Sequence, residues 1–141
     1  MKKDKILIVI PAYNEAENIE KVIEEIKKDI NYADILIIND CSTDNTVNIV
    51  KKNNVKCITN AFNMRYAMAV QTGIKYAYEN DYDYVIQMDA DGQHIASEAE
   101  KMYKELKKSD ADIVIGSRYL KDMGYPCPLF RRIGTKMFEW I

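Results

Sequence analysis

The chain has 141 residues, of which 48% are hydrophobic and 30% charged, the balance of an ordinary soluble globular domain. A formal net charge of -2 gives no reason to expect a nucleic-acid partner, and three cysteines without C-x-x-C spacing favour reduced thiols over disulfides or a zinc site. No apolar run is long enough to span a bilayer and the N-terminal segment does not resemble a signal peptide, so we expect a cytoplasmic protein.

The first predicted strand and helix occupy the N-terminal quarter of the chain. Residues 5–10 form a continuous apolar run, typical of a strand buried on both faces, and Pro11 is predicted to end it. The helix that follows is predicted to begin at a capping box formed by Asn14 and Glu17. Its apolar face would carry Ile19, Val22, Ile23, Ile26 and Ile30.

Strands and helices continue to alternate along the rest of the chain. A helix at 65–79 is predicted to direct Met68, Ile74, Ala77 and Tyr78 towards the core. This alternation predicts an α/β fold with a mainly parallel central sheet flanked by helices. The other predicted elements are strands at 34–40, 55–59, 83–89 and 112–119, and helices at 42–53, from a Ser97/Glu100 capping box to 109, and at 128–141.

Three pairs of aspartates have the spacing D-x-D, at 81/83, 89/91 and 110/112. Parallel α/β sheets bind ligands at the carboxyl ends of their strands, where loops meet helix N-termini. Asp81/Asp83 and Asp110/Asp112 lie where the chain enters predicted strands. Asp89 and Asp91 lie where a strand ends, so only this pair is predicted to face the ligand-binding crevice.

Other polar loops fall at the same predicted edge of the sheet, at 11–15, 40–44, 60–63 and 116–118. Two carboxylates at i and i+2 can both reach one hard cation, and Mg²⁺ or Mn²⁺ prefers such oxygen ligands. Gln93 could add an amide oxygen, and Arg118 would complement phosphate. His94 is the only histidine, and a second-sphere role is favoured for it over catalysis. Asp44 is open between a helix cap and a ligand contact.

Five motifs together are similar to glycosyltransferase family 2, which has the GT-A fold. They are VIPAYNEAENI, INDCSTDNT, NMRYAMAVQTGIKYA, QMDADGQH and IGSRY, in the order and spacing of that family. Within it the chain most resembles dolichol- and polyprenyl-phosphate sugar transferases. The resemblance implies one three-layer GT-A domain over 1–141. Its residues 121–141 would be a loop and helix leading to an acceptor region that this chain lacks.

The resemblance also implies roles for individual residues. Asp89, Asp91 and Arg118 would be catalytic, and the metal ligands would be Asp89, Asp91 and Gln93. Arg131 or Arg132 would join Arg118 at phosphate groups. The residues expected to bind the nucleotide sugar are Pro11, Ala12, Tyr13, Glu15, Ile38, Asp40, Asp89, Ala90, Asp91, Arg118 and Arg131.

The implied reaction is metal-dependent transfer of a hexose, such as mannose or glucose, with inversion at the anomeric carbon. The donor would be a GDP- or UDP-linked sugar and the acceptor a polyprenyl or dolichyl phosphate. The cofactor would be Mg²⁺ or Mn²⁺. Residues 128–141 could contact the cytoplasmic face of a membrane as a peripheral helix, or could bury their apolar face against segments that follow.

The chain departs from the family pattern at Cys41, at the start of the helix at 65–79 and, in a minor way, at HIASE, which replaces His-Pro-Pro-Glu. Cys41 stands where glycine is usual, and it is strained if its φ must be positive. Arg65, Ala67 and Met68 replace a Gly- and Ala-rich helix start and add bulk beside the donor site. A non-catalytic nucleotide-sugar-binding or regulatory domain is the alternative function. The chain lacks the residues that a receiver-like domain, a dinucleotide-binding fold or a P-loop requires, so these three alternatives are excluded.

Overall fold

The computed structural model describes residues 4–93 and 95–116. Strands and helices alternate through this part of the chain, as the sequence predicts. The elements are β1 (Ile6–Ala12), α1 (Ile19–Asp29), β2 (Asp34–Asn39), α2 (Thr46–Lys52), β3 (Lys56–Thr59), α3 (Arg65–Glu79), β4 (Tyr84–Gln87) and α4 (Ala96–Lys108).

The four strands form one sheet in the order β3-β2-β1-β4, and all three pairs of neighbours are parallel. Helices cover both faces. One apolar cluster lies between the sheet and α1, α2 and α4, and a second lies between the sheet and α3. The predicted α/β class with a parallel, helix-flanked sheet is therefore confirmed. None of the described helices is long and apolar enough to cross a membrane.

Strand β1 is central, and all seven of its residues are buried. The prediction that Pro11 ends this strand is wrong, because pairing with β2 continues to Ala12 opposite Asn39. Pairing with β4 stops earlier, at Val9 opposite Gln87. Proline has no N–H to donate, so Pro11 cannot extend the ladder on the β4 side. The two strands are thus released from each other at their carboxyl ends.

Helix α1 buries the predicted apolar face, including Ile19, Ile23 and Ile26. The predicted capping boxes are both wrong. Helix α1 begins after Asn18 and α4 after Ile95, and neither has a side-chain cap. Nearby tertiary partners explain the first case, because the side-chain Oδ1 of Asn14 accepts a hydrogen bond from the Thr43 N–H instead. A side chain that bonds to another loop is no longer free to cap a helix, and here the bond to the other loop is the one that forms.

Helix α3 contacts β1 and β2 through small residues. Ala69, Gly73 and Ala77 are buried, whereas Met68, Ile74 and Tyr78 are exposed, Tyr78 by 85%. The predicted core-facing set is therefore right for Ala77 and wrong for the three larger side chains. A stripe of small residues at every fourth position lets the helix lie close to the sheet, which large side chains would prevent.

The strand predicted at 112–119 is wrong for its described part, 112–116, which pairs with no described strand. Ile113 and Ile115 are 76% and 83% exposed. A β-rich apolar segment becomes a strand only when a neighbouring strand accepts its hydrogen bonds, so its composition alone was insufficient. The remainder of that prediction and the helix at 128–141 lie outside the described residues.

Candidate functional site

A cavity of about 550 Å³ lies at the carboxyl edge of the sheet. The chain leaves β1 towards β2 and β3 on one side, and β4 lies on the other, so the strand order reverses at β1. Open α/β sheets bind ligands at such a reversal. The lining residues are Pro11, Ala12, Tyr13, Glu15, Asp40, Asn63, Arg65, Tyr66, Ala69, Asp89, Ala90 and Asp91.

Asp89 follows β4 and is oriented by two side chains. The hydroxyl of Tyr66 donates to Asp89 Oδ1 at 2.8 Å, and the Gln87 amide donates to the same oxygen at 3.0 Å. Gln87 also donates to the Tyr66 hydroxyl at 2.7 Å. Partial burial, and then the Asp89 carboxylate, raise the pKa of Tyr66 to about 12. The phenol therefore stays protonated and holds the carboxylate from the α3 side.

Asp91 and Gln93 lie on the turn that follows Asp89. Gly92 has φ +73°, a left-handed conformation that favours glycine, and this bends the chain so that the Gln93 N–H donates to Asp91 Oδ1 at 2.9 Å. Within residues 4–93 and 95–116, no three His, Cys, Asp or Glu side chains are grouped to hold a metal. The carboxylates of Asp89 and Asp91 suit a hard cation such as Mg²⁺, which usually binds one or two carboxylates and completes its coordination shell with water and phosphate oxygens.

Asp40 follows β2 and is only 4% exposed. Its Oδ1 accepts hydrogen bonds from Asn60 Nδ2 at 2.8 Å and Met64 N at 2.9 Å, and its Oδ2 accepts one from Arg65 N at 2.8 Å. The carboxylate thus binds free N–H groups at the start of α3, where negative charge is also favoured by the helix dipole. Its predicted contact with the nucleoside stays a prediction.

The loops after β1 and β2 are fastened to each other. The N–H groups of Asn14, Glu15 and Ala16 donate to Ser42 Oγ, Thr46 Oγ1 and Asp44 Oδ2, at 3.0, 2.9 and 3.0 Å. Asp44 also accepts from the Thr46 N–H at 3.0 Å. Partial burial opposes ionisation of Asp44, but these hydrogen bonds outweigh it and lower its pKa. Asp44 is therefore engaged at the start of α2, and it does not line the cavity.

Three residues beside the cavity have left-handed backbones without being glycine. Asn14, with φ +56°, is a type that tolerates this conformation. Cys41 has φ +65° and Arg65 has φ +72°. For residues with a Cβ this conformation costs roughly 1–2 kcal/mol. The strain that the sequence predicts for Cys41 under a positive φ is thus present, and Arg65 shares it. Strain of this kind collects at functional sites.

Most of the predicted site residues meet at the cavity. Pro11, Ala12, Tyr13, Glu15, Asp40, Asp89, Ala90 and Asp91 all line it. Ile38 does not line it, because it is fully buried in the apolar cluster beneath α3. Arg118, Arg131 and Arg132 lie outside the described residues, as does His94.

The sequence analysis predicted no role in the site for Tyr66 or Gln87. Tyr66 is 21 residues from Gln87 and 23 from Asp89 along the chain, so no local pattern joins them. Its place at the start of a helix whose N-terminus faces the predicted crevice was the available signal, since side chains there reach a ligand.

Comparison with known proteins identifies the family of the chain. Residues 7–126 match the sequence profile described as Glycosyl transferase family 2. The UDP-N-acetylglucosamine–dolichyl-phosphate N-acetylglucosaminyltransferase of Methanococcus voltae is 31% identical over 157 residues, covering 98% of this chain and 62% of that protein. The chain spans between 56% and 62% of the length of three curated relatives that it matches, and 34% of the length of the dolichol-phosphate mannosyltransferase of Pyrococcus furiosus.

Two solved structures share the fold at low identity. TarS 1–349 of S. aureus in complex with UDP superposes with a TM-score of 0.64 at 18% identity, covering 83% of this chain and 40% of that one. The mannosyltransferase PcManGT of Pyrobaculum calidifontis in complex with GDP-Man and Mn²⁺ gives a TM-score of 0.57 at 21% identity, covering 64% of this chain and 28% of that one. Both are glycosyltransferases of the GT-A type, the architecture that the sequence predicts.

Proposed function

Because the chain belongs to glycosyltransferase family 2, we propose that it carries the donor site of a metal-dependent, inverting enzyme. The donor is a GDP- or UDP-linked sugar, and the acceptor is a polyprenyl or dolichyl phosphate. One observation carries this proposal. Glu15, Asp89, Asp91 and the aromatic ring of Tyr13 converge on a single cavity where the strand order reverses.

The size and chemistry of the cavity support a nucleotide sugar. A volume of about 550 Å³ lies within the usual range for small-molecule sites. Tyr13 is 48% exposed and offers a ring face to a base, while Glu15 offers a carboxylate to ribose or base. The relative from Methanococcus voltae is named for a UDP-sugar donor and a dolichyl-phosphate acceptor, and PcManGT is named with GDP-Man and Mn²⁺.

Different residues of this chain would have different roles in the transfer. Asp89 and Asp91, with Gln93, would hold Mg²⁺ or Mn²⁺, which when bound supplies a Lewis acid for the departing diphosphate. Tyr66 and Gln87 keep the Asp89 carboxylate in place. A phosphate oxygen of the acceptor is already a nucleophile, so the chain need not provide a general base. Attack opposite the leaving diphosphate inverts the anomeric carbon.

Titration calorimetry with UDP and GDP, with and without Mn²⁺, tests the proposal. We expect one nucleotide to bind more tightly with Mn²⁺. Asp89→Asn should weaken that Mn²⁺-dependent binding by about tenfold or more, because an amide is a poorer ligand for a hard cation. Asp81→Asn is the matched control. Asp81 belongs to another D-x-D pair, lies at the opposite edge of the sheet, and its left-handed backbone also suits asparagine.

Two results would contradict the proposal. One is that neither nucleotide binds the folded chain, and the other is that Asp89→Asn and Asp81→Asn leave binding equally unchanged. Incubation with the bound nucleotide's sugar conjugate and a polyprenyl phosphate then tests transfer. Nucleotide binding without transfer would favour the non-catalytic alternative.

A further inference from the structure

Arg65 places a long cationic side chain where the backbone favours glycine. It is the first residue of α3, with φ +72°, and its N–H is fixed by the hydrogen bond to Asp40 Oδ2 at 2.8 Å. A glycine would adopt this conformation without a Cβ clash. An unfavourable backbone angle held by surrounding contacts is a reason to ask what the side chain does.

Arg65 lines an otherwise acidic cavity. Four carboxylates line it, those of Glu15, Asp40, Asp89 and Asp91. Among the described lining residues Arg65 is the only cation. Asp40 is buried, whereas the other three carboxylates are at least partly exposed to an entering ligand. For the diphosphate of a nucleotide sugar the potential of these carboxylates is repulsive unless cations offset it.

The guanidinium of Arg65 is available for this purpose. Arg65 is exposed, and its hydrogen bonds to described residues all come from its backbone N–H. It forms no ion pair within the described part of the chain despite the carboxylates that line the same cavity. A guanidinium presents a planar set of donors that fits two phosphate oxygens at once, a match that lysine cannot reproduce.

We propose that Arg65 binds the diphosphate of the nucleotide donor. This rests on the function proposed above and adds a specificity residue to it. Arg65 contacts phosphate oxygens on the α3 side of the cavity, while the carboxylates of Asp89 and Asp91 serve the cation on the β4 side. The site thereby distinguishes nucleoside diphosphates from nucleosides, and it keeps part of its affinity for diphosphates when no divalent cation is present.

Three variants test this assignment by calorimetry with UDP, GDP, their nucleosides and inorganic pyrophosphate, each with and without Mn²⁺. Arg65→Ala and Arg65→Gly should both weaken binding of the preferred nucleoside diphosphate about tenfold, equivalent to the loss of one good charged contact. Binding of the corresponding nucleoside should change by less than about twofold. Arg65→Lys should lie between the parent and Arg65→Ala.

Cys41→Gly is the matched control, because it relieves the neighbouring left-handed backbone at a residue that does not line the cavity. It should bind diphosphates as the parent does. The melting temperature distinguishes loss of the Arg65 charge, which both variants share, from relief of backbone strain, which only Arg65→Gly provides. Arg65→Gly should melt at a temperature no lower than Arg65→Ala does, although both lose affinity equally.

The outcomes separate this assignment from the proposed function. If the parent binds a nucleotide and Arg65→Ala binds it equally well, the role of Arg65 is overturned and the function stands. A loss in Arg65→Gly alone also overturns it, because the backbone would then be the cause. If the parent binds pyrophosphate through Arg65 but no nucleotide, the diphosphate site stands and the nucleotide-sugar function fails. If the parent binds neither ligand, both are wrong.

Discussion

Asp40 stabilises the region where β2, the loop after β3 and α3 meet. Its two carboxylate oxygens receive hydrogen bonds from Asn60, Met64 and Arg65, in a position only 4% exposed to solvent. These partners lie 20 to 25 residues further along the chain. The carboxylate therefore joins elements that are distant in sequence, and it does so at the wall of the cavity.

Asp40→Asn should lower the free energy of unfolding by about 1–3 kcal/mol, because an amide NH₂ would then face buried N–H donors. Urea denaturation of the parent and the variant measures this loss. Asp34→Asn is the control, since its exposed carboxylate accepts a hydrogen bond from Tyr82 and should contribute less. Equal urea midpoints for parent and Asp40→Asn would show that Asp40 does not brace α3.

The sequence indicates where Asp40 and Asp89 lie but not what they touch. Strand patterning places both at the carboxyl edge of the sheet, and the structure agrees. The bonds of Asp40 to α3 and of Tyr66 to Asp89 depend on how close α3 approaches the sheet. That distance is set by packing across the whole helix, so it cannot be derived from spacing along the chain.

Helix α3 lies close to β1 because Gly73 faces the sheet. A Cβ built at Gly73 would overlap Cγ1 of Val9, which is fully buried. The hydrophobic period of α3 misled the prediction for this reason. Large side chains usually mark the buried face of a helix, but here Met68, Ile74 and Tyr78 are exposed and small residues make the contact.

Gly73→Ala should destabilise the protein by about 1–3 kcal/mol through overpacking against Val9. This would occur although alanine is intrinsically better than glycine in a helix, by about 1 kcal/mol. Thermal denaturation checks the sign. Gln71→Ala, an exposed position on the same helix, is the control and should change stability by less than about 0.5 kcal/mol. A Gly73→Ala protein as stable as the parent would mean that α3 can move outward at no cost.

Asp4 joins the start of the described chain to helix α4. Its Oδ2 accepts hydrogen bonds from Lys107 Nζ and the Tyr103 hydroxyl, both at 2.6 Å, which fastens the start of β1 to α4. The hydrogen bond from Lys107, followed by that from Tyr103, lowers the pKa of Asp4 below its ordinary value of 3.8. The folded state therefore favours the ionised carboxylate.

This shift predicts how stability depends on pH. Because the pKa is lower in the folded state, the contribution of Asp4 is complete above the unfolded value near 3.8 and is lost as pH falls through the folded value. Asp4→Asn should have a lower urea midpoint than the parent at pH 7, and the gap should narrow below pH 4. Asp29→Asn, whose side chain bonds to no described residue, should show no such narrowing. A gap that stays constant with pH would refute the linkage.

The α/β class and the parallel, helix-flanked sheet were predictable from the alternating apolar runs, since buried parallel strands require such runs. The strand order was not predicted and comes from the structure. The segment at 112–116 shows the limit of that inference. Its composition favours a strand, but a strand exists only with a partner, and the described sheet ends at β4. At Pro11 the prediction failed in the other direction, because the strand continues past a residue that usually ends one. Pairing with β2 runs on to Ala12, while pairing with β4 has already ended at Val9, so no backbone N–H is required of Pro11.

The hydrogen bonds that fasten the loop after β1 to the loop after β2 have a consequence for motion. Three consecutive backbone N–H groups of the first loop, those of residues 14–16, are each held by a different side chain of the second loop. If one of these hydrogen bonds breaks, the other two still hold the loops together. Opening this wall requires all of these bonds to break in one cooperative event, which is rarer than the fraying of a single loop. We therefore expect the β1–β2 side of the cavity to stay rigid when a ligand binds. A ligand would enter and leave on the side bounded by the turn after β4.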